Sequence, residues 1–303
     1  MLKIAWPCFL LFALAGCARQ RFESRLERMR AIAGSYELSD FEKSRELLRD
    51  SEIFRADEFL STRLSRLNDA QLKKLFGTLG HIALYIEDSP PVYPMEQVFN
   101  EMTIRKIESP SDAEDMFKQY LVAHLFDKAR EFMRAHAIPG SPAVPETVKM
   151  ALPSSATSRA FSVSDDAKTI ELESLPMDKG PRVVMTVGPL CNPSGRANAA
   201  IEADPVLKQL MGNYAVRIAE PGEMQYLHKI SEWNRAHPGS KMHVAYRPGD
   251  WPEMNLGETP IFYFLENGKV THTVTGWPSD EQKHELMKGF AVIGVTAPKR
   301  SAP

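Results

Sequence analysis

Apolar residues recur at helical spacing through the first half of the chain and collapse into short strand-like runs in the second. Phe22, Leu26, Met29 and Ala33 mark one helix. Ser39-Asp40-Phe41-Glu42 fits a capping box ahead of Leu47-Leu48, and Phe54, Phe59 and Leu60 belong to a third, short helix. Asn68-Asp69-Ala70-Gln71 opens a longer one that carries Leu72, Leu75, Phe76, Leu79 and Ile82, and Asp88-Ser89-Pro90-Pro91 ends it. A further helix is expected over Met95–Ile104. Ser111-Asp112-Ala113-Glu114 then caps a pattern with Phe117, Leu121, Leu125, Ala129 and Phe132 on one face. This predicts an all-α domain over 17–136, without the regular period of a helical repeat.

Residues 137–165 are rich in Pro, Ser, Ala and Thr at their start and read as a linker. The period then changes. Lys168–Glu173 alternates, and Arg182–Val187 is nearly continuous in apolar residues, as in a buried parallel strand. A helix over 194–211, a strand at Tyr214–Ile218, a helix at Glu223–Ala236 and a strand at Lys241–Tyr246 follow. Ile261–Leu265 and Val270–Thr275 flank Glu266-Asn267-Gly268-Lys269, a hairpin turn, and Ser279–Phe290 closes as a helix. The order predicts an α/β domain with a mixed sheet over 166–292, followed by a tail at 293–303.

Composition narrows the function more by exclusion than by pointing. The 303 residues carry 37 Lys and Arg against 39 Asp and Glu, so no basic surface for nucleic acid is expected. Three cysteines are too few for a disulfide framework or a four-cysteine zinc site. The eight histidines form no close helical pair of the kind that ligates a metal, and no metal site is expected. Gly-rich phosphate loops and Gly-x-Ser-x-Gly elbows do not occur.

Residues 2–16 hold one Lys, an apolar run too short for a comfortable membrane span, and then small residues. Leu14-Ala15-Gly16-Cys17 resembles the lipobox of bacterial lipoproteins. That resemblance implies a signal peptide at 1–16, acylation of Cys17, and a mature chain held on the periplasmic face of the outer membrane by its lipid. Cys8 would leave with the signal and Cys17 would carry the acyl chains. Cys191 would then be the one thiol of the mature protein.

Cys191 follows an apolar strand and precedes a helix. A cysteine there meets unpaired N–H groups and the positive end of the helix dipole, both of which favour the nucleophilic thiolate. Thr259-Pro260 lies just before Ile261–Leu265, where a proline is tolerated at the first strand position. In this order, Cys191-Asn192-Pro193-Ser194, Thr259-Pro260 and the Asn267-Gly268-Lys269 turn resemble the thioredoxin fold. The extra strand at 241–246 looks most like the periplasmic, membrane-anchored thiol-disulfide oxidoreductases. The resemblance implies a three-layer α/β domain, a nucleophilic Cys191, and a cis-proline loop in which Thr259 and Pro260 receive the substrate. It calls for no cofactor. Ser194 stands where the family has its second cysteine, so the resolving thiol must come from another molecule. Ser194 can instead hydrogen-bond the Cys191 sulfur. Gly188 occupies the position at which peroxidase relatives need Thr or Ser.

Three functions fit these residues. Cys191 exchanges disulfides as a monothiol with a thiol-bearing protein client or a small thiol. The domain binds peptides without redox chemistry. The helical half acts as an envelope scaffold or inhibitor. Trp251 and Trp277 fall in loops near the cis-proline and hairpin, as packing residues or as exposed anchors, and Arg196 is placed either near Cys191 or in solvent.

Overall fold

The computed structural model describes residues 6–55, 57–86, 91–136, 138, 144–153, 156–279 and 281–296, with only the backbone for 6–19. The leader at 1–16 and the Cys17 side chain therefore lie outside the described side chains. The chain forms two compact units, Met1–Leu38 with Glu42–Ala123, and Ser39–Phe41 with His124–Pro303. No helix among the described residues is long and apolar enough to cross a membrane.

The first unit is helical. Its elements are α1 (Trp6–Ala33), α2 (Asp40–Arg49, whose first two residues count with the second unit), α3 (Ser61–Leu64), α4 (Asp69–Ala83), α5 (Val92–Ile104) and α6 (Pro110–Val122). The capping box at the start of α4 is complete: Asn68 Oδ1 accepts the Gln71 N–H and Gln71 Oε1 accepts the Asn68 N–H, each at 2.9 Å. The cap of α6 differs from expectation. Ser109, not Ser111, is its N-cap, because Pro110 takes the first helical position and Asp112 answers the Ser109 amide at 2.7 Å. Arg105 at the end of α5 donates to the carbonyls of Leu67 (2.7 Å) and Leu64 (3.2 Å), which ties α5 to the turn between α3 and α4. Met29, Leu72, Phe76, Leu79, Met95 and Phe99 fill the core.

The second unit holds α7 (Phe126–Ala135) and a mixed sheet built from β1 (Thr147–Lys149), β2 (Arg159–Val163), β3 (Thr169–Ser174), β4 (Pro181–Thr186), β5 (Ala215–Ala219), β6 (Met242–Ala245), β7 (Ile261–Glu266) and β8 (Lys269–Thr275). The strand order is β1-β3-β2-β6-β5-β4-β7-β8. The helices are α8 (Asn192–Ala203), α9 (Pro205–Tyr214), α10 (Leu227–Ala236) and α11 (Gln282–Val292).

Several boundaries differ from the sequence pattern. The segment read as a linker contains β1 and β2. β2 pairs antiparallel with β3 and β6, and Phe161 and Val163 are buried in the sheet. α7, assigned to the helical domain from its periodicity, counts with the sheet: the His124 ring before it stacks on Tyr246 at 4.5 Å and meets Phe161 edge-on at 5.2 Å. The single helix expected over 194–211 breaks at Asp204, whose carboxylate caps α9 through the Val206 and Leu207 amides at 3.0 and 3.1 Å. The tail begins later than residue 293. Ile293 and Val295 are buried, and Gly294, at φ +73°, reverses the chain so that the Val295 N–H reaches the Phe290 carbonyl at 2.9 Å.

Side-chain parity separates the two faces of the sheet. Arg217, Phe264 and Met185 point to one face, where α8 reaches Arg217 through Asn198, α10 brings Trp233 to the same residue, and Phe290 of α11 packs edge-on against Phe264 at 5.3 Å. The opposite face carries Val184, Ile218, Ala245, Ala160 and Tyr263. Trp251, Met254 and Leu256 of the segment between β6 and β7 cover it. The three-layer expectation thus holds a different third layer in this unit: an irregular strap with one short 3-10 turn, Pro248–Asp250, stands in for a helix. The strap is fixed at both ends. Arg159 holds Asp250 through three contacts of 2.8–3.1 Å, and the Asn255 N–H donates to Tyr263 Oη at 2.8 Å. Trp251 and Trp277 are both buried, so each is a packing residue.

Two outcomes follow from this packing. A Cβ on Gly289 would run into the Phe264 ring. Gly289→Ala is expected to destabilise the second unit by about 1–3 kcal/mol in chemical denaturation, and Phe264→Leu in the same chain to recover part of the loss. His124 has φ +57° and a buried Nε2 without a hydrogen-bond partner. Burial, and then the cations of Arg247 and Arg159, hold its pKa down to about 3. The unfolded chain protonates near 6.5, so the stability tied to the neutral ring is fully present above that pH and is lost as pH falls towards 3. His124→Asn, which tolerates the left-handed backbone, should flatten the fall in denaturation midpoint between pH 7 and pH 5.

Candidate active site around Cys191

β4 delivers the chain to the candidate site and α8 takes it away. After Thr186, the Val187 N–H pairs with the Ile218 carbonyl at 2.9 Å and so continues the sheet by one bond. A tight turn follows, in which the Cys191 N–H donates to the Gly188 carbonyl at 3.0 Å. Cys191 is the N-cap residue of α8, with φ −76° and ψ 115°, and its carbonyl accepts the Gly195 N–H at 2.9 Å. Pro193 sits in the first turn, where its missing donor removes nothing the helix needs. Cys191 is half-buried.

Three of the residues singled out from the sequence meet at this sulfur. Cys191 Sγ lies 3.4 Å from the Thr259 carbonyl, and the Thr259-Pro260 peptide bond is cis. Ser194 is buried below, at 1 % exposure, and its Oγ accepts the Gly188 N–H at 3.4 Å. Pro260 is buried, and its carbonyl accepts the Gly276 N–H at 2.8 Å. Leu190, next to the cysteine, is 57 % exposed. Arg196 is exposed on α8.

Opposing influences set the ionisation of Cys191. Burial raises its pKa. The Thr259 hydroxyl, the Ser194 amide and the Ser194 hydroxyl lower it by hydrogen bonding to the sulfur, while the Glu223 carboxylate works against the anion. The Thr259 carbonyl favours the protonated thiol, since it accepts from S–H. The net result is a thiol held below its ordinary range.

Four further residues shape the site, and the sequence pattern points to none of them as such. Thr186, fully buried at the end of β4, donates through Oγ1 to the Glu258 carbonyl and accepts the Ile261 N–H, both at 2.7 Å. One hydroxyl therefore brackets Thr259-Pro260. Its only trace in the sequence is a polar residue inside an apolar run. Gly188 is required by close approach: a Cβ there would come within 2.9 Å of the Cys191 Cβ and 3.4 Å of Thr259 Oγ1. Asp40 accepts the N–H groups of Leu256 and Gly257 at 2.7 and 3.0 Å and so fixes the end of the strap just before Glu258. That role is invisible in the sequence, where Asp40 reads as a helix-capping residue. Glu223 is the fourth, through its charge. Among the described residues no group of three His, Cys, Asp or Glu side chains is placed to hold a metal ion.

The bracket by Thr186 predicts that Thr186→Val strands the buried Ile261 N–H and the part-buried Glu258 carbonyl. The expected cost is about 2–4 kcal/mol, read by denaturation, with Thr186→Ser close to wild type because it keeps the hydroxyl.

Comparisons of the chain with models of protein families, with curated proteins and with solved structures found no match.

Proposed function

We propose that the second unit is a thioredoxin-like domain that performs monothiol disulfide exchange through Cys191, in a lipoprotein anchored through Cys17 on the periplasmic face of the outer membrane. The observation that carries the reading is a half-buried cysteine at a helix N-cap, its sulfur set 3.4 Å from the carbonyl of a cis Thr-Pro loop and held below its ordinary pKa. The lipobox-like Leu14-Ala15-Gly16-Cys17 supports the anchor. Each acyl methylene buried in the bilayer contributes about 0.8 kcal/mol, so several chains hold the protein firmly.

The reaction balances as a thiol-disulfide exchange. The Cys191 thiolate attacks one sulfur of a client disulfide. The client S–S bond breaks, a Cys191–client disulfide forms, and the other client sulfur leaves as a thiolate. A thiol from a second molecule then attacks the mixed disulfide and releases Cys191 as a thiolate. Ser194 takes no part in electron transfer. Its amide and hydroxyl stabilise the sulfur in its ionised form. Leu190 and Thr259 offer an apolar contact and a backbone edge to the incoming client.

Two measurements test the reading. The pH dependence of Cys191 alkylation by iodoacetamide is expected to have its midpoint below the ordinary value of about 8.5. Cells should also yield a mixed disulfide that disappears in Cys191→Ser. An ordinary midpoint together with no adduct would refute exchange chemistry and leave peptide binding without redox chemistry. Cys17→Ala should abolish incorporation of labelled fatty acid and release the protein from the membrane fraction.

A further inference from the structure

Arg217 is an anomaly in the core. It lies on β5 at 1 % exposure, facing α8 and α10. Its Nε donates to Asn198 Oδ1 at 2.8 Å, and the Trp233 ring lies 5.9 Å from its guanidinium carbon. Its Nη2 is sealed from solvent and has no hydrogen-bond partner. Among the described residues it forms no salt bridge. Glu202, the acid that acts on it, is engaged by Lys208 at 3.0 Å and Ser240 at 3.3 Å. Burial lowers the Arg217 pKa to about 10, which leaves the group charged at neutral pH. A charge in such a place is expensive, because it gives up water without a carboxylate in return.

The position of that charge gives it a role. Asn198 sits on α8, two turns beyond Cys191, about 10 Å along the axis at 1.5 Å per residue. The α8 residues between and around them, Ser194, Ala197 and Asn198, are buried. Along that inner side of α8 a charge at Arg217 would be screened less than one acting through solvent. The same guanidinium fixes how α8 lies on β5, and hence where the Cys191 end of the helix stands relative to Thr259.

We propose that Arg217 is a positioning residue for Cys191, clamping α8 through Asn198 and favouring the ionised sulfur with a buried charge that no salt bridge neutralises. This inference builds on the reading of Cys191 as a reactive thiol. It extends that reading to a residue on another strand that does not touch the sulfur.

The test uses the full chain and reads alkylation of Cys191 by iodoacetamide against pH, site-resolved by mass spectrometry. Asn198→Asp keeps an acceptor of the same shape on Nε and neutralises the buried charge. Arg217→Met removes both charge and clamp. Each is expected to raise the alkylation midpoint by about half a unit to one unit, the order of a long-range unit-charge interaction at an effective dielectric near 20. A midpoint within about 0.2 units of wild type in Asn198→Asp, with an unchanged circular dichroism spectrum, would overturn the proposal. That variant decides the matter where Arg217→Met does not fold. A low wild-type midpoint that the variants leave in place refutes the role of Arg217 and leaves exchange chemistry standing. An ordinary wild-type midpoint that the variants still raise upholds Arg217 and refutes the exchange reading.

Discussion

A single hydroxyl holds together the two segments from which the candidate site is made. Thr186 ends β4, and the turn that carries Cys191 begins two residues later. Glu258 and Ile261 flank the cis Thr259-Pro260 bond at the start of β7. The fully buried Thr186 Oγ1 donates to one of these and accepts from the other, both at 2.7 Å. β4 and β7 are antiparallel neighbours, so the ladder already aligns them up to Met185 and Phe262. The hydroxyl extends that alignment past the point where the ladder ends, and there Cys191 Sγ comes to 3.4 Å from the Thr259 carbonyl. A buried backbone group without a partner is costly, which is why this arrangement is sharply defined.

The asymmetry of the sheet explains why the site opens at this edge. α8, α10 and α11 pack against Arg217, Phe264 and their neighbours on one face. On the other, the strap from Arg247 to Glu258 crosses over Val184, Ile218 and Tyr263 with Trp251, Met254 and Leu256 as its apolar contacts. Beyond three short-range backbone bonds around Pro248–Met254 the strap has no ladder, so its other polar groups need outside partners. Arg159 supplies one for Asp250, Tyr263 one for Asn255, and Asp40 two for Leu256 and Gly257. The last two lie directly before Glu258-Thr259-Pro260, so the anchoring of the strap is also the anchoring of the cis-proline loop.

At Cys191 burial and hydrogen bonding act on the thiol in opposite directions. Burial and the Glu223 carboxylate oppose ionisation. Donors from Thr259 and Ser194 outweigh them. A second cysteine at position 194 would place a second thiol in this turn. The serine instead places a hydroxyl that accepts the Gly188 amide and favours the ionised sulfur.

The sequence by itself determined that a helical first half gives way to a strand-rich second half, because the change from helical to strand-like periodicity is a local property. It also located Cys191 at a helix start and Thr259-Pro260 at a strand start, since proline, serine and glycine act on their immediate neighbours. Asn267-Gly268, with φ of +51° and +81°, turns the β7–β8 hairpin as its residues require. Where the reading failed, distant pairing had the deciding vote. β2 became a strand because β3 and β6 accept it on either side. α7 joined the sheet unit because His124 meets Tyr246 and Phe161. Asp40 serves the strap more than two hundred residues away in the chain. Which hydroxyl brackets the proline, which carboxylate pins the strap and which cation lies beneath α8 are facts of three-dimensional contact. Only the tertiary structure decides them, because a side chain's partner is chosen by where the whole fold puts it and not by its neighbours in sequence.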